Sequence, residues 1–222
     1  MELGDILFWV GHACFYVKAN GLNIFIDPFR VPTQLKEKAD LLLITHAHFD
    51  HCNKDDIEKV VKKDTVMISS QGCLEEKGYK DVITSKPGFR YDFKGIRIEA
   101  VPAYNIVEER LNYHPKANNW VGYVLDINGT RIYHAGDTDF IKEMRDLKGL
   151  DAALLPIGGT YVMSVDEAID AGREINAKST VPMHYKNLLG RQGSMIAEEK
   201  FKNGLKSALI MKEIAEPTYS FQ

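Results

Sequence analysis

The chain has 222 residues, of which 45% are hydrophobic, with a formal net charge of −3 and a pI near 6.2. This size suits one globular domain with a substantial core, or a fold of two fused halves. No long basic block is present, which argues against nucleic-acid binding. The three cysteines are scattered without disulfide or metal-site spacing, the first residues lack a basic signal-peptide region, and no apolar run approaches membrane-spanning length. We therefore expect a cytoplasmic protein that does not bind membranes.

The first part of the chain is predicted to be β-rich. Strands are predicted over residues 6–10, 14–17 and 22–26. His12, between the first two strands, is either a packed histidine or a polar group near a functional site. Pro28 ends the third strand, because proline cannot continue a central ladder. The preceding Asp27 either caps this turn or accepts a proton from a ligand histidine.

Residues 46–51 hold the densest group of chemically active side chains, namely His46, His48, Asp50 and His51. An apolar run over residues 40–45 precedes them, and residues 53–61 have helical spacing with Asn53 as a plausible N-cap. The group therefore lies where a buried strand ends and a helix begins, which is where α/β folds place their sites.

The chemistry of this group favours metal binding. Neutral imidazole and carboxylate are common ligands of zinc and related divalent ions. His46 and His48 alternate, so their side chains share a face in extended backbone, and the following turn directs Asp50 and His51 to a second position. Because a catalytic ion keeps one coordination site open, four ligand-capable groups indicate a pair of ions.

The middle of the chain adds strands and one long loop. Strands are predicted over residues 65–68, 82–84, 89–93 and 96–101, with a short helix over 74–77. The last two strands alternate strictly, which is typical of half-exposed antiparallel pairs. Residues 102–119 form the longest irregular stretch, and long ordered loops are often functional. His114 lies in this loop, and the local sequence by itself is compatible with a solvated loop residue.

The last third repeats the pattern of polar residues at strand ends. Strands are predicted over residues 121–125, 131–134, 152–156 and 179–183, and helices over 140–147, up to 175 and near 197–205. Ser164 and Glu167 form a capping box for the second of these helices. Asp137 follows the strand that ends in His134, and His184 follows the last strand. From the local sequence alone, Asp137 is a candidate cap for the helix after it.

Taken together, these motifs resemble the hydrolases of the metallo-β-lactamase fold, and in particular the branch similar to ascorbate-6-phosphate lactonase. The resemblance is carried by His-x-His-x-Asp-His, Gly11-His12, Asp27-Pro28, Gly136-Asp137, residues 156–159 and residues 182–185. It implies an α/β (α+β) fold, a four-layer αββα sandwich of two mixed sheets packed face to face, within a single domain over residues 1–222.

The resemblance also implies a ligand set. One metal is held by His46, His48 and His114, the other by Asp50, His51 and His184, and Asp137 bridges the two. His114 departs most from the family pattern, because residues 115–119 replace the usual glycine-rich turn. His12 is placed near the metals as a group that contacts substrate, Asp50 alternatively acts as a base, and His134 is a core or outer-shell residue. Zinc is the first choice of metal, with manganese, iron or nickel also compatible with the ligands.

The implied activity is hydrolysis of a small, anionic ester, lactone or phosphodiester by water activated between two divalent ions. Tyr104, Asn105 and Arg110 are the candidate substrate contacts, although a surface role competes for Arg110. The expected partner is a small molecule rather than a nucleic acid or a membrane, and a homo-oligomer is compatible with the sequence. Two other classes stay open: a mononuclear iron dioxygenase or redox enzyme on the same fold, and a non-catalytic module that binds metal or nucleic acid.

Overall fold

The structure is a computed structural model that describes residues 2–215. This part of the chain forms two compact units, the first made of residues 2–86 and 212–215 and the second of residues 87–211. Each unit contains one six-stranded mixed sheet in which neighbouring strands follow chain order.

The sheet of the first unit combines an antiparallel and a parallel part. Its strands are β1 (Leu7–Gly11), β2 (Cys14–Ala19), β3 (Leu22–Ile26), β4 (Leu41–Ile44), β5 (Val66–Ser70) and β6 (Ile83–Ser85). Strands β1 to β3 are antiparallel, whereas β3 to β6 are parallel. All four residues of β4 are buried, as expected for a strand inside a parallel sheet. Glu213 bridges to Trp9, so the segment 213–215 lies along the edge of β1.

Two helices belong to this unit, α1 (Leu3–Ile6) and α2 (Lys54–Val60). The side chain of Asn53 accepts a hydrogen bond from the backbone nitrogen of Asp56 at 3.1 Å, which confirms the predicted N-cap of α2. The short helix α1 was missed, because its residues carry no periodic apolar pattern and Ile6 reads as the start of the next strand.

The second sheet has the same mixed character. Its strands are β7 (Arg90–Phe93), β8 (Ile96–Pro102), β9 (Val121–Ile127), β10 (Thr130–His134), β11 (Ala152–Pro156) and β12 (Ser179–Met183). Strands β7 to β10 are antiparallel and β10 to β12 are parallel. The alternating exposure of β7 and β8 confirms the prediction of half-exposed antiparallel strands.

The second unit also holds α3 (Val165–Ile175) and α4 (Lys186–Gly204). The capping box before α3 is present as predicted. Helix α4 is longer than the predicted stretch and passes through Gly190, whose φ of 66° interrupts the helical backbone. The predicted helix over 140–147 is only a 3-10 turn, Lys142–Asp146, and further 3-10 turns are Glu75–Lys77, Glu108–Arg110 and Lys116–Asn118. Within residues 2–215, no helix has the length and apolarity that crossing a membrane requires.

Polar residues follow the carboxyl ends of the parallel strands in both sheets. Asp27 follows β3, and His46 comes two residues after β4, its parallel neighbour. In the second sheet, Asp137 follows β10 and His184 follows β12, with β11 between them. Because parallel strands end at the same edge, each sheet gathers its own set of metal-ligand candidates.

Candidate metal centre

Asp27 orients two histidines of the first unit. Its Oδ2 accepts hydrogen bonds from Nδ1 of His51 at 2.8 Å and from the Thr45 hydroxyl at 2.6 Å. The Thr45 oxygen in turn lies 3.0 Å from Nδ1 of His46, and it accepts this bond because its own proton goes to Asp27. Both imidazoles are therefore protonated at Nδ1 and carry their lone pair at Nε2, which is the form that binds metal.

The spacing of these groups suits coordination. The ring centroids of His46 and His51 are 3.9 Å apart, and those of His46 and His48 are 4.8 Å apart. His12, Asp50 and His51 each offer one ligand atom, and these three atoms lie within 4.8 Å of one another. His46 and His48 likewise each offer one ligand atom, and these two atoms lie within 4.8 Å of each other. Ligands at about 2 Å from a common zinc ion are separated by roughly 3 to 4 Å, so these groups need only small adjustments.

His12 contacts Asp50 directly. Its Nε2 lies 3.0 Å from Oδ2 of Asp50, while the Trp9 indole holds its backbone by donating to the His12 carbonyl at 2.9 Å. The residue is buried and adopts a left-handed backbone with a φ of 53°. Such backbone conformations are strained for a histidine and concentrate at functional sites. The structure thus places His12 against a predicted metal ligand rather than at an open rim.

In the second unit, one carboxylate oxygen faces two histidines. Oδ2 of Asp137 lies 3.3 Å from Nε2 of His114 and 3.1 Å from Nε2 of His184, and all three side chains are buried. His184 also has a left-handed φ, of 56°. His134 accepts a hydrogen bond at Nδ1 from the backbone of Gly136, so this buried residue shapes the turn that presents Asp137.

The three expected substrate contacts are instead turned into the protein. The Tyr104 hydroxyl donates a hydrogen bond to Glu143 at 2.9 Å and accepts one from Lys116 at 3.0 Å. The side-chain oxygen of Asn105 lies 2.6 Å from Nδ1 of His114. Arg110 is buried, with Nε 2.9 Å from Asp139 and a terminal nitrogen 2.6 Å from Glu167. The guanidinium of Arg110 is thus bound by two carboxylates inside the protein, which disfavours the predicted role as a substrate clamp.

Two important residues were not singled out in the sequence. Thr45 immediately precedes His46, and Asp139 is the second aspartate of Gly136-Asp137-Thr138-Asp139. Their positions beside the ligand motifs were a usable signal, because groups that orient metal ligands commonly lie next to them.

Residues 6–184 match the family model described as a β-lactamase superfamily domain. The chain belongs to this superfamily. It is 35% identical to a metal-dependent hydrolase of Thermoplasma acidophilum over 192 residues, which are 81% of the chain and 82% of that relative. It is 37% identical to a metal-dependent hydrolase of Pyrococcus horikoshii over 194 residues, 80% of the chain and 83% of the relative. A crystal structure from Parabacteroides distasonis matches with a TM-score of 0.82 and 33% identity, covering 93% and 92% of the two chains.

These similarities confirm the metallo-β-lactamase type of α/β fold with two mixed sheets. They also confirm the expected enzyme class, a metal-dependent hydrolase of the β-lactamase superfamily. The narrower branch, similar to ascorbate-6-phosphate lactonase, stays a prediction.

Proposed function

We propose that this β-lactamase-superfamily protein binds two divalent metal ions and hydrolyses a small, anionic lactone, phosphodiester or other ester. The observation that carries the proposal is the position of Asp137 Oδ2 between His114 and His184, at 3.3 and 3.1 Å from their Nε2 atoms. One carboxylate that faces two imidazole nitrogens has the arrangement of a bridging ligand.

The donor set fits divalent metal ions. Nδ1 of His46 is bonded to Thr45, Nδ1 of His51 to Asp27 and Nδ1 of His114 to Asn105, and such bonds orient the opposite nitrogen for coordination. In our assignment, one ion would be held by His46, His48 and His114 and the other by Asp50, His51 and His184, with Asp137 as the ligand shared by both. A ligand set of nitrogen and oxygen without thiolate suits zinc first and also manganese, iron or nickel.

Two divalent ions held by these residues would lower the pKa of an attacking water and would supply positive charge to the electrophile. Asp50, whose Oδ2 lies 3.0 Å from Nε2 of His12, would alternatively serve as the base that accepts the proton of the attacking water, in place of its ligand role. Phe49, between His48 and Asp50 in the sequence, exposes 60% of its surface and packs edge-on against Phe29. It offers an apolar contact to the non-reacting part of a small substrate.

The experiment is an activity profile of the zinc-reconstituted protein. Lactones, phosphodiesters, thioesters and amides are compared with structured RNA and β-lactams by their kcat/KM, and a His46→Ala, His48→Ala double variant serves as the control for contaminating hydrolases. We expect the highest efficiency on a small lactone or phosphodiester, and no activity in the control. Efficient cleavage of RNA with negligible turnover of every small ester would contradict the proposal.

A further inference from the structure

We propose that Asn105 is a positioning residue that fixes the tautomer and orientation of His114, and that Asp139 and Arg110 hold Asn105 in the amide orientation this requires. The inference rests on the proposed role of His114 as a metal ligand. It replaces the expectation, drawn from the sequence, that Asn105 contacts substrate.

The surroundings of Asn105 determine which way its amide points. Asn105 is only 2% exposed, and its Nδ2 lies 3.0 Å from Oδ1 of Asp139 and 2.9 Å from the carbonyl oxygen of Tyr161. A carboxylate and a carbonyl only accept hydrogen bonds, so the amide nitrogen must face them. The amide oxygen is thereby directed at Nδ1 of His114, 2.6 Å away.

This orientation sets the tautomer of the histidine. An amide oxygen only accepts, so His114 must donate from Nδ1, and a neutral imidazole then carries its lone pair on Nε2. That nitrogen lies 3.3 Å from Oδ2 of Asp137. Both atoms are electron-pair donors directed at one region, which is the condition for sharing a cation.

Asp139 is itself firmly anchored as the acceptor for Asn105. Its Oδ2 accepts hydrogen bonds from the backbone nitrogens of Ile106 at 2.7 Å and Val107 at 2.9 Å. Its Oδ1 lies 2.9 Å from Nε of Arg110, which balances the charge of this buried carboxylate. Because N–H donors already point at both of its oxygens, the carboxylate offers Asn105 an acceptor.

The same network ties the loop of His114 to that of Asp137. The Thr138 hydroxyl donates to the Tyr104 carbonyl oxygen at 2.9 Å, and the Tyr104 nitrogen donates to the Thr138 hydroxyl at 3.1 Å. These bonds lie next to the contact between Asn105 and Asp139, so two adjacent residue pairs hold the segments together. We therefore expect a change at Asn105 to act on His114 first and to leave the Thr138 contacts in place.

The test compares Asn105→Ala with Asn112→Ala, an exposed asparagine of the same loop. Zinc affinity is measured by chelator competition with Zn²⁺ alone. The His114 tautomer is measured by ¹⁵N NMR of the metal-free protein labelled at histidine. We expect zinc to bind Asn105→Ala about 10- to 100-fold more weakly than Asn112→Ala, with one of the two ions affected. We also expect the Nδ1-protonated signal of His114 to give way to a tautomer mixture in Asn105→Ala only.

Asn105→Asp keeps an acceptor for His114 and decides the outcome if Asn105→Ala fails to fold. It should retain the Nδ1-protonated His114 even where the contact with Asp139 is weakened. The inference is overturned if Asn105→Ala matches Asn112→Ala in zinc affinity and ¹⁵N shifts, or if Asn105→Asp loses the tautomer. Because NMR is performed without metal, wild-type protein that binds no zinc would refute the proposed function and leave the tautomer assignment standing.

Discussion

The carboxylate of Asp27 accepts a hydrogen bond from Nδ1 of His51 at 2.8 Å, and both side chains are completely buried. The two residues meet because β3 and β4 are parallel neighbours, so the residue after β3 lies beside the loop that follows β4. Through Thr45, the same carboxylate also orients His46. One aspartate thus controls the metal-binding form of two histidines.

Replacing this aspartate should weaken metal binding. In Asp27→Asn, an amide nitrogen takes the place of one acceptor oxygen and meets a donor of Thr45 or His51. We expect zinc affinity to fall by about 10- to 100-fold, as is common when a partner of a ligand histidine is removed. Chelator competition measures the affinity, with the exposed Asp64→Asn as the matched control. Equal affinities in the two variants would refute the role of Asp27.

His12→Ala should separate catalysis from metal content. The contact between His12 and Asp50 predicts a loss of turnover, on the order of 10- to 100-fold, because Asp50 is no longer held. Metal analysis should show near-normal zinc. Turnover is measured with the best substrate of the ester panel. A matching loss of zinc would make His12 a ligand, and unchanged kinetics would make it a packing residue.

Arg110→Met should reduce stability rather than substrate binding. The substitution removes the cation that balances Asp139, whose side chain is 1% exposed. Breaking such a buried pair costs about 3 to 5 kcal/mol, measurable by urea unfolding of the metal-free protein. Arg90→Met is the control, because the 76% exposed Arg90 side chain pairs with Glu99 at the surface and such pairs contribute about 0 to 1 kcal/mol. Normal stability with a raised KM would restore the substrate-clamp interpretation.

Acid should lower the free energy of unfolding by protonating Glu167, the second carboxylate that is paired with Arg110. Burial raises the pKa of the Glu167 carboxyl, but hydrogen bonds from Arg110 and Ser164 outweigh this and lower the pKa below its ordinary value of 4.5. A carboxyl with a depressed pKa in the folded state contributes stability above the unfolded pKa and loses it as the pH falls through the folded pKa. Wild type should therefore exceed Glu167→Gln in unfolding free energy at pH 7, and the difference should shrink below pH 4.5. Urea titrations across this range measure it, and a constant difference would contradict the prediction.

Gly158→Ala should disturb His184. A Cβ atom at position 158 would lie 2.5 Å from the carbonyl oxygen of His184 and 2.5 Å from a methyl group of Leu188. Relieving this overlap moves the backbone of a proposed ligand and costs about 1 to 3 kcal/mol. The midpoint temperature of thermal unfolding and the zinc affinity should both be lower than in Gly4→Ala, where a Cβ meets nothing within 4 Å. Unchanged zinc affinity would show that His184 does not depend on this close packing.

Features encoded by neighbouring residues could be predicted from the sequence. An apolar run before His46 and a capping asparagine after His51 were enough to place the ligand motif between β4 and α2. The alternating pattern of β7 and β8 likewise predicted their pairing. Each of these signals depends on residues within a few positions of one another.

Features that depend on distant partners could not be predicted. The roles of Arg110 and Asn105 are decided by contacts such as that between Arg110 and Glu167, which are 57 residues apart in sequence. Helix α4 was predicted too short because glycines at 190 and 193 lower helix propensity by about 1 kcal/mol each. The helical residues on its two sides are joined across a kink at Gly190, whose φ of 66° and ψ of −179° are not helical, and the buried Ser194 hydroxyl donates to the Gly190 carbonyl oxygen at 2.6 Å.

The number of bound metal ions tests the central claim most directly. The protein is loaded with excess zinc, loosely bound metal is removed by desalting, and native mass spectrometry counts the ions on each chain. We expect two zinc ions on wild type, and reduced occupancy together with reduced activity in Asp137→Ala. A wild-type chain that holds a single ion, or a fully active Asp137→Ala protein that retains both, would contradict the assignment of Asp137 as the bridging ligand.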